Sequence, residues 1–487
     1  MTQKKTPTRL ERDSTGEVEI PVDAYWGIGT SRYLKLLKVT ETPCHESLVT
    51  ALVMIKKSAA TVNGELGLLE RDIESAIAQS ADELLNKTLG AQIVVDAFHA
   101  AAGIGLNTNI NEVLANRANQ ILGFEVGTYE RVHPLDHVNL NHGISDAYIT
   151  AMRLSILLSL DSLTDALLEL ERVLRRKSLE FERIVKPGRI FLKDSSPVTL
   201  GQEMNAYGSA IEKSLRRIQD ARDTFREVNL GGTYTGTGYN TTESFHQRII
   251  NTLARDSKID LKPADDYFRV TSSMTDFASL SSNLKELAID LVKVVNDLRI
   301  LSSGPAAGMF ELKGPRLLDN SDDTEYDLTS WSKEPPVPET LLMICHQVMG
   351  LDHTVSLSAQ AGLLEGASST PVIINSILDS ISLLEKGITS FSKVYLSKVS
   401  ANQKQCKELL EETGALVAML STEIGYEKAE EVAKMSRAKG VDVKDFLIEN
   451  KILQEAVIDS LFGHRFMTSP KRIAPKKLNV NSPNDAV

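Results

Sequence analysis

The chain has 487 residues, 42% of them apolar and 24% charged; this ordinary globular usage excludes a disordered or fibrous protein for the bulk of the sequence, and at roughly 150 residues per domain the length predicts about three domains. A net charge of −11 from 54 basic and 65 acidic side chains argues against nucleic acid or an anionic membrane as partner. Cys44, Cys345 and Cys406 are too widely spaced for a disulfide framework or a CxxC metal site, and with no apolar h-region in the first twenty residues and no uninterrupted apolar span, the chain reads as a soluble, cytoplasmic protein.

A region of mixed short helical elements over 1–141 comes first. A central bundle over 142–397 follows, built from five long helical patterns. Those near 147–182, 200–228 and 338–365 are rich in Leu, Glu, Lys, Arg and Ala and almost free of internal proline. Between 284 and 301, Leu284, Leu287, Ala288, Leu291, Val294, Val295, Leu298 and Leu301 step by three and one, and from 374 to 391 Ile374, Ile377, Leu378, Ile381, Leu384, Ile388 and Phe391 repeat the pattern. Such stepping lines one side of a helix, and these stripes read as core. Shorter helices fill 398–466, where Asp442 after Gly440 marks a stop, a cap and a new start. The tail 467–487 is proline-spaced and basic and reads as mobile.

Residues 313–336, KGPRLLDNSDDTEYDLTSWSKEPP, interrupt the helical texture. Their carboxylates, Asp319, Asp322, Asp323, Glu325 and Asp327, lack the glycine turn and terminal glutamate of a calcium loop. Gly231-Gly232 with Gly236-Thr237-Gly238 follows a helical rather than a strand-like segment, which argues against a dinucleotide loop. There is no P-loop, HExxH or GxSxG, so no metal and no cofactor is expected.

Whole phrases carry more information. ERDSTGEVEIPVDAYWGIGTSR (11–32), NTNINEVLANRANQILG (107–123), VHPLDHVNLN (132–141), TLGQE (199–203), NLGGTYTGTGYNT (229–241) and LSSGP (301–305) stand in the order found in the aspartase/fumarase superfamily. The chain resembles that family from about residue 9 to about 465, and DAYWG, MIKKSAA and SANQKQC resemble aspartate ammonia-lyases more than fumarases. The resemblance implies a mainly α, three-domain subunit whose five-helix bundle assembles into a 20-helix homotetramer core. It also implies active sites built from three subunits, and elimination of ammonia or water from a succinate-type substrate. In the family a loop serine removes the Cβ proton and Thr, Ser, Asn and Lys donors hold the dianion, each positioned donor being worth about 3–4 kcal/mol.

The polar lining departs from the family in four segments. AAGIGLN places Ile104 and Gly105 where the family has Thr and Ser. His142-Gly143-Ile144-Ser145-Asp146 replaces Gln-Ser-Ser/Thr-Asn-Asp, and Ile190 and Phe191 replace the Thr-His pair after Arg189. The serine-loop signature gives way to the acidic insert ending in Ser330-Trp331-Ser332-Lys333-Glu334-Pro335. Isoleucine, glycine and phenylalanine side chains donate no hydrogen bond, and an unpaired buried carboxylate is costly, so the ordinary aspartase or fumarase reaction is not expected.

The expected site comprises His142, Ser330 and Ser332 as catalytic candidates, with Ile104, Asn107, Asn141, Ile144, Ser145, Arg189, Ile190, Phe191 and Lys333 against the substrate. Each has a plainer reading. His142 is either an acid/base or a hydrogen-bonding replacement for the family glutamine; Arg189 meets substrate or a structural ion pair; Asn107, Asn109 and Asn111 bind or cap a helix. Ile190 and Phe191 form an apolar ligand wall or fill a closed site. Two functions follow: a divergent lyase acting on an aspartate- or fumarate-like small molecule, or an inactive relative serving as a binding or regulatory subunit, alone or mixed with an active one.

Overall fold

The computed structural model describes residues 7–37, 39–99, 101–315 and 336–470. All five long patterns are helices: Ile144–Glu180, Leu200–Thr224, Thr275–Leu301, Val337–Ala359 and Thr370–Ser390. The first has 37 residues, about 55 Å of helix at 1.5 Å per residue. Two stop short of expectation. The Leu200–Thr224 helix ends before 228 because Glu227 and Val228 pair in parallel with Lys262 and Pro263. The Val337–Ala359 helix ends before 365 because Leu364 takes a positive φ of 50° and Leu363 bridges back to Gly366. Every residue of the two stepped stripes is buried, so they are core. No helix among the described residues is long and apolar enough to cross a membrane.

The chain divides into two compact units, one of 1–170, 210–295 and 336–392, the other of 171–209, 296–335 and 393–487. In the first, the Val337–Ala359 and Thr370–Ser390 helices pack as a pair, while Glu46–Glu65 packs on Arg71–Leu85 and Glu243–Ser257. Arg153 is fully buried there. Its guanidinium bonds Asp276 and, at 2.9 Å, the carbonyl of Thr224. Its Cζ lies 5.5 Å and 5.6 Å from the ring centres of Phe225 and Phe277. A buried cation is tolerable only when paired and hydrogen-bonded, and here one side chain ties three segments together.

In the second unit Val185–Ile190 and Lys193–Thr199 form an antiparallel hairpin with Arg189 opposite Asp194. Its turn is Phe191-Leu192, at φ 53° and 60°. That conformation normally calls for Asn or Gly, and bulky residues adopt it under strain. The short C-terminal helices close over Leu410, Leu416, Leu420, Phe446, Leu447 and Ile458. The expected boundary is present: Gly440 takes φ 64° and Asp442 caps the Val443–Glu449 helix through the Lys444 N–H. All three cysteines are free and buried.

Replacing the fully buried Leu291 by alanine should lower unfolding free energy by about 2–5 kcal/mol, the range for an unfilled core cavity. A shift of the chemical denaturation midpoint measures it.

Candidate functional site

Two of the family-like phrases in the first unit, 107–123 and 132–141, meet in one buried polar cluster. Its first element is the Ile104–Ile121 helix. Ala102 and Gly103 precede it at φ 55° and 80°, and a Cβ on Gly103 would collide with the Tyr148 ring, so this helix start requires glycine. Gly103 provides no side-chain cap. The positive end of the helix dipole therefore meets no side-chain acceptor from the cap position.

Asn107, Asn109 and Asn111 do not cap. They lie inside the helix, and their amides cross to other segments. Asn109 accepts from the Val94 N–H at 2.9 Å and donates to the Gln92 carbonyl at 3.0 Å. Asn107 and Asn111 donate to Asn139 Oδ1 at 3.4 Å and 3.2 Å. Their own Oδ1 atoms are buried and without a partner among the described residues.

The third donor to Asn139 Oδ1 is Lys56 Nζ, at 2.6 Å, and the same ammonium lies 2.9 Å from His142 Nε2. His142 Nδ1 is 2.9 Å from the Leu140 carbonyl. A carbonyl only accepts, so Nδ1 carries the hydrogen and the Nε2 lone pair faces Lys56. The ring stacks on Phe245. Both ring nitrogens are thus engaged. Asn141 donates to Asn63 Oδ1 at 2.7 Å and anchors the loop. Ile104, Ile144 and Ser145 are half-buried beside this cluster in sequence, at the two helix starts.

Electrostatics follow from burial. Lys56 is fully buried and its ammonium is pushed down to about 7, the charge of Asp146 opposing that shift. Burial, followed by the lysine charge, holds His142 well below the usual imidazole range. Asp146, also fully buried, is pushed up to about 7 although the N–H groups of Gly143, Ala147, Gly231 and Thr233 converge on it at 2.8–3.0 Å. That carboxyl ties the start of the Ile144–Glu180 helix to the glycine-rich loop after Asn229. The Gly231 and Thr233 N–H groups of that loop are thereby committed to Asp146.

The other predicted residues stand elsewhere. Arg189, Ile190 and Phe191 belong to the second unit. Arg189 makes a bidentate pair with Glu311 at 2.8 Å and 3.1 Å. Glu311 is fully buried and also meets Lys186 at 3.0 Å, which in turn bonds Glu203 at 2.9 Å. The Arg189 guanidinium is thus held by a carboxylate within this unit. Ile190 and Phe191 are 60% and 93% exposed. Ser330, Ser332, Lys333 and the acidic stretch lie outside the described residues. Lys56, Asn139, Asp146 and Tyr148 were given no role by motif reasoning. For Lys56 a signal existed: Leu52, Ile55, Lys56, Ala59 and Ala60 share one helical face, and the lysine interrupts an apolar stripe.

Because Lys56 titrates lower in the folded protein than in the unfolded chain, the unfolded chain holds more protons between about pH 7 and 10.5, and folding stability rises with pH across that window. The difference in unfolding free energy between the parent and Lys56→Met should therefore grow in the parent's favour from pH 7 to 10.5. Parallel pH profiles from denaturant titrations would show Lys56 to be solvated.

Similarity to known proteins agrees with this frame. A family model described as lyase matches residues 16–318, and one described as fumarase C C-terminus matches 416–469. The chain is 33% identical over 470 residues to an aspartate ammonia-lyase of Bacillus subtilis, covering 96% of this chain and 98% of that one. An aspartate ammonia-lyase of Pseudomonas aeruginosa is 36% identical over 469 residues with the same coverage. Among solved structures, a fumarate lyase:delta crystallin from Brucella melitensis bound to cobalt superposes with TM-score 0.88 at 35% identity, over 95% of this chain and 100% of that one. A class II fumarase from Schistosoma mansoni gives 0.84 at 27% identity, over 94% and 98%. With its helical frame, its ordered phrases and these full-length matches in agreement, the chain belongs to the aspartase/fumarase superfamily of lyases.

Proposed function

We propose that this protein is a divergent lyase that adds or eliminates across a carbon–carbon bond of an aspartate- or fumarate-like compound, and that its substrate has a less charged, more apolar part than aspartate or malate. The observation that carries this reading is the pairing of half-buried Ile104 and Ile144 with an uncapped helix N-terminus beside the Lys56–His142–Asn139 cluster. One carboxylate still has backbone N–H donors to meet at the Ile104–Ile121 helix. The second carboxylate of a dianion would meet isoleucine. Each missing donor costs about 3–4 kcal/mol of charge stabilisation, a factor of 10² to 10³ in rate. In this reading His142, held by Lys56, shapes the pocket loop and positions Ser145, Ser330 or Ser332 is the proton acceptor, Lys333 meets the anion, and Ile190 and Phe191 supply the apolar wall from a second subunit. Exposed Leu168, Ile289, Met343 and Leu357 on the long helices support a homotetramer, and three buried free thiols support a cytoplasmic, reducing setting.

A second reading, a catalytically inactive scaffold or regulatory subunit that pairs with its own kind or with an active relative, is favoured by one geometry: the His142 nitrogens and the Arg189 guanidinium are already committed to protein partners.

Purified protein incubated with aspartate, with malate, with fumarate plus ammonia and with an aspartate β-ester of an apolar alcohol, followed by the absorbance of the conjugated product, separates these. Aspartate and malate should give no turnover, and the less charged ester should either react or raise the melting temperature, because a ligand that binds only the folded form stabilises it. Ready turnover of aspartate or malate would refute the proposal. Silence from every compound in both measurements would favour the inactive subunit.

A further inference from the structure

A groove of about 660 Å³ in the second unit lies apart in the sequence from every family motif that lines the candidate site. It is lined by the end of the Ile144–Glu180 helix, the strand start at Val185, the Gln403–Glu412 helix and the turn at Asp442. Its volume falls within the roughly 300–1,000 Å³ of small-molecule sites. Leu410 and Leu416 line it from the C-terminal core, with half-buried Ile184 and Phe462 beside them, and Leu179, 74% exposed, also belongs to it.

The charged lining is mixed, with three cations, Arg183, Lys407 and Lys444, and four carboxyls, Glu180, Glu182, Glu411 and Asp442. Most are matched. Lys444 pairs with Asp459 at 2.8 Å and Glu180 with Lys177 at 2.8 Å. Lys407 Nζ sits between two carboxyls, 2.7 Å from Asp442 and 3.4 Å from Glu411. Asp442 further accepts the Lys444 N–H at 2.7 Å. Burial and the neighbouring Asp442 both raise the Glu411 carboxyl, the sign of two acids sharing one cation. The Arg183 side chain has no hydrogen-bond or ion-pair partner among the described residues.

Thus the groove offers one uncommitted guanidinium, one carboxyl pair short of a cation, and an apolar surface. A simple anion would face Glu411 and Asp442, and a simple cation would face Arg183, Lys407 and Lys444; a molecule carrying both charges satisfies each. We propose that this groove binds a free α-amino acid with an apolar side chain, its carboxylate on Arg183, its ammonium on Glu411 and Asp442, and its side chain on Leu410, Leu416 and Phe462. The groove is separate in its residues from the candidate lyase site, so the assignment stands or falls independently of the reaction proposed above.

Calorimetric titration of the full chain at pH 7 tests it, with L-leucine and L-phenylalanine as probes and their carboxamides and deamino acids as controls. Both amino acids should bind and raise the melting temperature. Removing either charge from the ligand should weaken binding at least about tenfold, as loss of one charge-assisted hydrogen bond implies. Arg183→Ala, an exposed substitution, should do the same while leaving the ligand-free melting temperature unchanged, and Glu411→Gln should weaken the amino acid more than the deamino acid. The proposal is overturned by absence of heat and of melting shift with both amino acids at millimolar concentration, by equal binding of a carboxamide or deamino acid, or by unchanged affinity in Arg183→Ala.

Discussion

Lys56 brings an amine into a place that water does not reach, and its two hydrogen bonds go to neutral acceptors 83 and 86 residues further along the chain. A buried ammonium without a carboxylate in contact is costly, and the protein reduces that cost in two ways. It lowers the proton affinity of the amine, and it points the Asn139 oxygen and the His142 lone pair at it. Asn139 in turn collects the amides of Asn107 and Asn111 and donates to the His142 carbonyl. The helices at Glu46 and Ile104 and the loop before Ile144 are therefore joined through a single side chain. Asp146 continues the chain of dependence into the loop after Asn229 by accepting four backbone N–H bonds. A network of this kind is sensitive to every member, because leaving one buried group unpaired costs its full desolvation.

The second unit repeats the theme with opposite chemistry. Glu311, fully buried, accepts from Lys186 and from both arms of Arg189, and its backbone carbonyl accepts the Asn402 N–H. Desolvation offsets much of the Coulombic gain of a buried ion network, yet removing one member leaves an uncompensated charge and is strongly destabilising. This one ties the hairpin that carries Phe191 to the segment after Phe310 and to the start of the C-terminal helices. Arg189, for which the sequence leaves substrate and ion pair both open, is held here by the Glu311 carboxylate at the hairpin base.

The long helices were legible because an apolar stripe at steps of three and four is a local signal, and so was the cap at Asp442, where cap and first turn are neighbours in sequence. The cluster around Lys56 was not, since a lysine within an apolar stripe reads as an exception until its partners are known, and those partners are far along the chain. Asn107 and Asn111 were ambiguous for a related reason. Asparagine favours caps, but the cap position is taken by Gly103, whose positive φ and contact with Tyr148 fix the helix start three residues earlier. The partner of Arg189, Glu311, lies 122 residues away, beyond any local signal.

The close seat of Tyr148 on Gly103 makes the entry to the Ile104–Ile121 helix a fixed point of the fold. Because a glycine and an aromatic ring set the peptide path there, and not the residues that follow, the side chains at 104 and 105 can be exchanged without moving the backbone that carries them.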